Sequence, residues 1–291
     1  MVKEDLELME PNRLLRFLFA EAVSAADPMK TIPKTLPKKP KGKIFVLGVG
    51  KASARMAEAV ESIWGPCSGI VLTKYGYSRR LKGIEVVEAN HPIPDLKAFQ
   101  TTDRIIKFLK TLREDDFLLI LLSGGGSALL SAPGPGLSYK DKQIVHEMLL
   151  KCGAPISKIN LIRKHLSEVK GGKIAALAYP AKILCLAISD VPGDNIADIA
   201  SGITVGEDST PDQALEILTK YNIKLPKKVR EKLAEKSTTL STHDKRLSNV
   251  ENKIISAPSQ SLKATVKAAK KLGYNTVLIG DLIEGEAKIE A

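Results

Sequence analysis

Five short segments of this sequence carry residue types suited to binding an anion or moving a proton. The sharpest is Ser123-Gly124-Gly125-Gly126-Ser127, which follows the apolar run Phe117 to Leu122. Three consecutive glycines cost backbone entropy, about 0.5–1 kcal/mol each relative to alanine, so a purely structural turn would seldom need all of them. A nest of N–H groups around phosphate oxygens would use them, with Ser123 and Ser127 adding hydroxyl donors. A second glycine turn, Gly48-Val49-Gly50-Lys51-Ala52-Ser53, leads from another apolar run into a helical pattern. Glycines there permit close backbone approach, a helix start favours negative charge, and Lys51 is a point donor for phosphate. It is a poor dinucleotide fingerprint, because Ser53 holds the third glycine position and the next strand ends in Thr73-Lys74 with no carboxylate for a ribose. It is not a Walker loop either, since Lys43 stands where the first glycine belongs. A structural turn with a surface lysine reads equally well.

The remaining three segments place charge at the ends of apolar runs. Ser189-Asp190-Val191-Pro192-Gly193-Asp194 sets two carboxylates four residues apart, able to share a hard cation or divide metal-binding and base roles in phosphoryl transfer. The same Pro-Gly-Asp is also ordinary turn chemistry, and either aspartate could merely cap a helix. In Asn90-His91-Pro92-Ile93-Pro94-Asp95 two prolines stiffen a loop that holds His91 near Asp95; a helix cap with an incidental histidine is the alternative. Arg163-Lys164-His165, followed by Lys170-Gly171-Gly172, offers a guanidinium fork for a carboxylate or phosphate, or simply a solvated basic helix face.

Apolar runs at 43–48, 68–73, 84–88, 117–122, 182–188 and 275–279 read as strands that would hold these residues, most of them separated by helix-period stretches. Residues 11 to 26 place Leu14, Leu15, Leu18, Phe19, Ala22 and Val23 on one helical face, and Asp27-Pro28 disfavours continuation. The Lys/Pro-rich stretches 34–43 and 224–230 read as solvated linkers. The expected fold is α/β: a Rossmann-like, mainly parallel sheet with helices on both faces, plus the start of a truncated second α/β domain. Strands so apolar are buried on both faces, which directs ligands to their C-terminal ends, where the five segments fall. The expected division is an N-terminal helix and linker over 1–42, the main α/β domain over 43–240, and a linker with the start of a second domain over 241–291.

A hydrophobic content of 44% across 291 residues supports a packed core. The net charge of +11 invites nucleic acid, but aromatics are only 4% and none interleave the basic runs, so no nucleic-acid partner is expected. The excess charge would instead attract an anionic substrate. No apolar stretch suits a membrane span, and Lys3, Glu4 and Asp5 do not open a secretion signal. Cys67, Cys152 and Cys185 are too few and too scattered for a disulfide framework or a metal cluster, which fits a cytoplasmic protein.

Taken together and in register, these segments resemble the glycerate 2-kinase family, whose N-terminal region is known as the MOFRL-associated domain. The resemblance runs from about Leu14 to about Tyr221 and includes Asn160, Ser167 and Ala200-Ser201-Gly202-Ile203-Thr204 beside the segments above. It implies transfer of the γ-phosphate of ATP to the 2-hydroxyl of D-glycerate, with Mg2+ or another divalent cation. On that reading Lys51, Asp190 and Asp194 are catalytic, and the two aspartates hold the metal. Gly48, Gly50, Ser53, Ser123, Gly124, Gly125, Gly126 and Ser127 bind nucleotide phosphates, and His91, Asp95 and Arg163 contact substrate. Two departures stand out. Ile203 replaces a proline usual in the family, which removes a fixed backbone angle. The family also continues into a C-terminal MOFRL domain that contributes to the cleft, of which only Tyr274 to Ile279 and Gly285-Glu286-Ala287 have counterparts. The alternatives are a catalytically weak nucleotide- or phosphate-binding protein and a hydroxypyruvate reductase, and self-association into a homo-oligomer is left open.

Overall fold

The computed structural model describes residues 10–235 and 238–283; Lys3 to Asp5 and Gly285 to Ala287 lie outside the described residues. Six strands form one sheet: β1 (Ile44–Val49), β2 (Ser68–Lys74), β3 (Ile84–Ala89), β4 (Phe117–Leu122), β5 (Lys182–Ile188) and β6 (Val250–Ser256). Their order is β3-β2-β1-β4-β5-β6, and every pairing is parallel. The chain therefore starts mid-sheet, builds outward to β3, then crosses back to β4. The strand order reverses between β1 and β4, which is where a doubly wound sheet opens a crevice at its carboxyl edge.

Alternation within the strands explains why both faces are covered. Phe45, Leu47, Val49, Leu118, Ile120 and Leu122 point to one face, under α4 (Leu96–Leu109) and α8 (Lys173–Ala178). Val46, Val71, Leu119, Leu121 and Leu186 point to the other, under α2 (Pro28–Thr35) and α3 (Ser53–Trp64). Such strands show no polar side to solvent, as burial on both faces requires. Register then levels the strand ends: Val49 pairs with Leu122, and Leu122 with Ala187. The segments after β1, β4 and β5 are thereby set side by side.

A third apolar cluster lies apart from the sheet. It joins α6 (Tyr139–Leu150), α7 (Ile156–His165), α9 (Pro211–Lys220) and α10 (Lys227–Ala234) through Val145, Leu149, Ile162, Ile217, Leu218 and Val229. This helical lobe hangs over the carboxyl edge of the sheet. Pro226 opens α10, so the 224–230 stretch expected as a solvated linker is largely a packed helix, with Leu225 and Val229 buried. The 34–43 stretch is also less free than expected. Its start completes α2, Trp64 Nε1–H donates to the Pro37 carbonyl at 3.0 Å, and the Lys39 ammonium donates to the Trp64 carbonyl at 2.7 Å.

Helix α1 (Pro11–Ala25) stops where expected, and Asp27 caps α2. The helix runs against α11 (Pro258–Lys271), while Leu15 and Phe19 stay exposed. Residues 275–279, read as strand-like, are irregular, and Val277 and Ile279 are exposed. The free edge beside β5 is taken instead by β6, whose Glu251, Asn252 and Lys253 hide the strand pattern and in which only Ile255 and Ser256 are buried. No helix among the described residues is long and apolar enough to cross a membrane. Because Leu121 is fully buried in the strand that carries the glycine loop, Leu121→Ala is expected to lower stability by about 2–5 kcal/mol in urea denaturation.

Candidate functional site

The two glycine turns meet at the crevice, but they do different work. The amides of the β1–α3 turn are all engaged: Gly50 N–H donates to Leu72, Lys51 N–H to the Gly124 carbonyl at 2.9 Å, and Ala52 N–H to Ser123 Oγ at 3.0 Å. The Ser53 and Thr73 hydroxyls both donate to the Gly50 carbonyl. A Cβ on Gly50, whose φ is +123°, would stand 2.4 Å from Ser123. This turn is a structural clasp that spends Gly50, Ser53 and the Ser123 hydroxyl, while Gly48 lies inside β1. The β4 turn is the one with donors to spare. No acceptor among the described residues takes the Gly124 or Gly125 amide, and Gly125 sits in the left-handed region at φ +89°. That is the backbone of an anion nest.

Three polar side chains gather on this loop. Asp190 follows β5, and a Cβ on Gly124 would lie 2.0 Å from its Oδ2. A Cβ on Gly125 would lie 3.0 Å from His91 Nε2 and 3.5 Å from Lys51 Cγ. Burial holds the His91 imidazole below its usual pKa, Lys51 and Lys74 add to this, and Asp190 opposes it. Asp194 and Asp95 are placed differently. Asp194 sits at φ +52° with Oδ1 buried and without a hydrogen-bond partner, and it is not among the residues lining the cleft. Asp95 caps α4 through the Ala98 amide and also accepts from Asn90 N–H and the Tyr75 hydroxyl, so its oxygens are spent on the loop. Among the described residues no three His, Cys, Asp or Glu side chains gather as a metal centre.

Across a cleft of about 320 Å³ the helical lobe presents Arg163 from α7 and His146 from α6. Each is only 4% exposed, and Arg163 Nε and His146 Nε2 have no hydrogen-bond partner. Among the described residues Arg163 is paired with no carboxylate, and its side-chain hydrogen bond goes to Asn160 Oδ1 at 3.4 Å. Burial pushes its pKa down to about 10, so it stays charged at neutral pH. Below the loop, Lys170 is 1% exposed and donates to the carbonyls of Ser127 at 2.8 Å and Leu130 at 3.2 Å. Ser127 shares a 2.8 Å hydrogen bond with Ser201, whose hydroxyl donates to Asn160 Oδ1 at 2.9 Å. This chain ties the glycine loop to the lobe. Ala200, Ser201 and Gly202 all have positive φ, a costly conformation for the first two, and a Cβ on Gly126 would lie 2.8 Å from Ala200 Cβ. Ile203, in place of the family proline, is fully buried in the sheet core, so packing fixes the backbone there.

His146, Lys142 and Asn160 were not singled out as site residues from sequence. A usable signal existed in α6: Lys142 and His146 occupy the same helical stripe as Val145 and Leu149, all four buried. A lysine and a histidine on a core face require a reason.

The electrostatics are one-sided. Burial pushes Lys142 down to about 7, helped by Arg163 and Lys173, and Lys173 down to about 8; Lys170 lies well below the lysine range for the same cause. Each folded-state value is below the ordinary 10.5, so between about pH 7 and 9 the unfolded chain binds more protons. Stability therefore rises with pH across that window, by about 2 kcal/mol from Lys142. Above pH 9 the Cys185 thiol, raised by burial to about 12, contributes in the opposite direction. Urea titrations at pH 7 and 9 should show the rise, and Lys142→Met should flatten it.

Residues 14–234, more than half the chain, match the family model described as Domain of unknown function (DUF4147). Over 279 residues the chain is 41% identical to an Agrobacterium vitis protein named "Putative hydroxypyruvate reductase", covering 95% of this chain and 63% of that one. It is 40% identical over 287 residues to the glycerate 2-kinase of Pyrococcus horikoshii, covering 93% and 65%. The crystal structure of a glycerate kinase from Thermotoga maritima superposes with a TM-score of 0.80 at 37% identity, covering 92% of this chain and 64% of that one. This chain thus spans a little under two thirds of the length of each. The span of the match, and a shared fold at that identity, assign it: the chain belongs to the DUF4147 family of glycerate kinase type.

Proposed function

We propose that this chain carries the nucleotide and substrate cleft of a cytoplasmic glycerate 2-kinase, which transfers the γ-phosphate of ATP to the 2-hydroxyl of D-glycerate. The observation that carries the reading is the pairing of unspent loop amides, at Gly124 and Gly125, with a buried, carboxylate-free Arg163 across the same cleft. The first suits phosphate oxygens and the second suits the carboxylate of a small acid. The names of the Pyrococcus and Thermotoga relatives agree with it.

In this mechanism the Gly124 and Gly125 amides orient the phosphates and Lys51, beside Gly125, meets the charge of the group in flight. Arg163 fixes the acid so that its 2-hydroxyl faces the phosphorus. The oxygen–phosphorus bond to the acceptor forms as the bond to the ADP oxygen breaks, and the hydroxyl proton leaves to base or solvent. A divalent cation, when bound, would neutralise phosphate charge, with Asp190 as its foremost ligand. The fit is that Asp190 sets a carboxylate directly against an anion nest, an arrangement that repels phosphate unless a cation lies between. The unpaired Oδ1 makes Asp194 the second candidate.

A hydroxypyruvate reductase would need a nicotinamide site, and the β1–α3 turn has spent its amides and lacks a ribose carboxylate. The binding-only reading keeps the anion nest at Gly124 and Gly125 without turnover. A coupled assay of the purified chain with MgATP and D-glycerate, resolving 2- from 3-phosphoglycerate, separates these outcomes. Formation of 2-phosphoglycerate is expected, with Lys51→Ala slower by about 100-fold. Folded protein that binds nucleotide but yields no product would favour binding alone, and reduction of hydroxypyruvate by a nicotinamide would favour the reductase. Gly124→Ala drives a methyl into Asp190, so it is expected to cost about 100-fold in turnover while near-ultraviolet circular dichroism stays unchanged.

A further inference from the structure

Among the polar side chains of the cleft that the mechanism leaves unused, His146 is the most deeply buried. His146 lines the cleft from α6, is almost fully buried, and its Nε2 has no hydrogen-bond partner. Pro92, which has no N–H and can only accept, lies beside the ring. Burial keeps the imidazole neutral, so one ring nitrogen carries a lone pair, and with the proton on Nδ1 that lone pair is the buried Nε2 facing the cleft as an acceptor.

Arg163 Nε, the other partnerless buried atom lining this cleft, is the converse, a donor without an acceptor. An acceptor and a donor that line one cleft, both buried and unsatisfied, are costly, and the two do not satisfy each other. A ligand that fills both must bring an anionic oxygen for the guanidinium and an O–H for the imidazole, within one small molecule. A hydroxy acid has that combination.

Resting on the kinase reading above, we infer that His146 is a specificity-determining residue: Nε2 accepts a hydrogen bond from the 3-hydroxyl of the bound D-glycerate while Arg163 holds its carboxylate. The choice of hydroxyl follows from basicity. Burial, with Arg163, Lys170 and Lys142 around the ring, pushes the imidazole down to about 3. A nitrogen so weakly basic accepts a hydrogen bond but does not remove a proton from the reacting hydroxyl. It serves the hydroxyl that does not react, and it discriminates against an acid that lacks one, because such an acid leaves Nε2 buried and empty.

The test is calorimetric titration of the full chain, with MgADP present, using D-glycerate and D-lactate, which lacks the 3-hydroxyl. Wild type is expected to bind D-glycerate at least about tenfold more tightly than D-lactate. His146→Leu should erase that preference by weakening D-glycerate about tenfold with D-lactate unchanged, and His146→Gln, whose amide oxygen also accepts, should restore part of it. Equal affinities for D-glycerate in wild type and His146→Leu would overturn the inference and leave the kinase reading standing. So would an equal loss of both acids, which is what a merely structural histidine gives. Wild-type protein that binds MgADP but neither acid would overturn the kinase reading, and the inference with it.

Discussion

The contact between Ser123 and Gly50 is the constraint on which the rest of the site depends. Two loops from strands adjacent in the sheet but about seventy residues apart in sequence come so close that one must be glycine, and the serine hydroxyl then takes the Ala52 amide. With the first turn's amides engaged and Lys51 bonded through its own N–H to Gly124, the second loop is held open with its amides facing the cleft. The strand order makes this meeting unavoidable: β1 and β4 are neighbours, and their ends are level through Val49 and Leu122. The same sheet that needs apolar runs for its core thus sets its polar residues along one edge.

The opposite wall follows a different economy. Arg163, Lys142 and Lys170 are buried basic groups with no carboxylate hydrogen-bonded to them among the described residues, held instead by backbone carbonyls or an amide oxygen. Placing charge in such an environment is unfavourable for folding unless it is matched. Within the lobe the contrasting case is Lys164, which does have its partner, Glu207, at 2.7 Å. The chain therefore pairs one lysine of the Arg163-Lys164-His165 segment with a carboxylate and leaves the neighbouring arginine without one among the described residues, which supports the proposed role of Arg163 toward an anionic ligand.

Much of this was legible in the sequence because strands buried on both faces leave unmistakable apolar runs. Five of the six strands were readable that way, and the glycine loops fell at their ends. What sequence did not separate was use from proximity. Gly48-Val49-Gly50 and Ser123-Gly124-Gly125-Gly126 look alike as glycine turns, yet only hydrogen-bond accounting shows that the first spends its amides on the fold. Asp95 and Asp190 look alike as loop carboxylates, yet one caps a helix and the other lies against the nest. β6 was hidden because its middle is Glu-Asn-Lys, and Asn275 to Ile279 misled because apolar residues make a strand only where a sheet edge is free to receive them. The lobe's contribution through His146 required knowing which face of α6 is buried.

The lobe itself is discontinuous: α6 and α7 precede β5, while α9 and α10 follow it. Neither pair can complete the lobe until the chain has passed through the sheet and returned. Cleft and core are thus interleaved along the polypeptide, and a ligand that bridges the glycine loop and Arg163 closes a circuit through both. Its binding energy is then felt by the whole molecule instead of one subdomain, so occupancy of the cleft acts as a thermodynamic latch on the global fold.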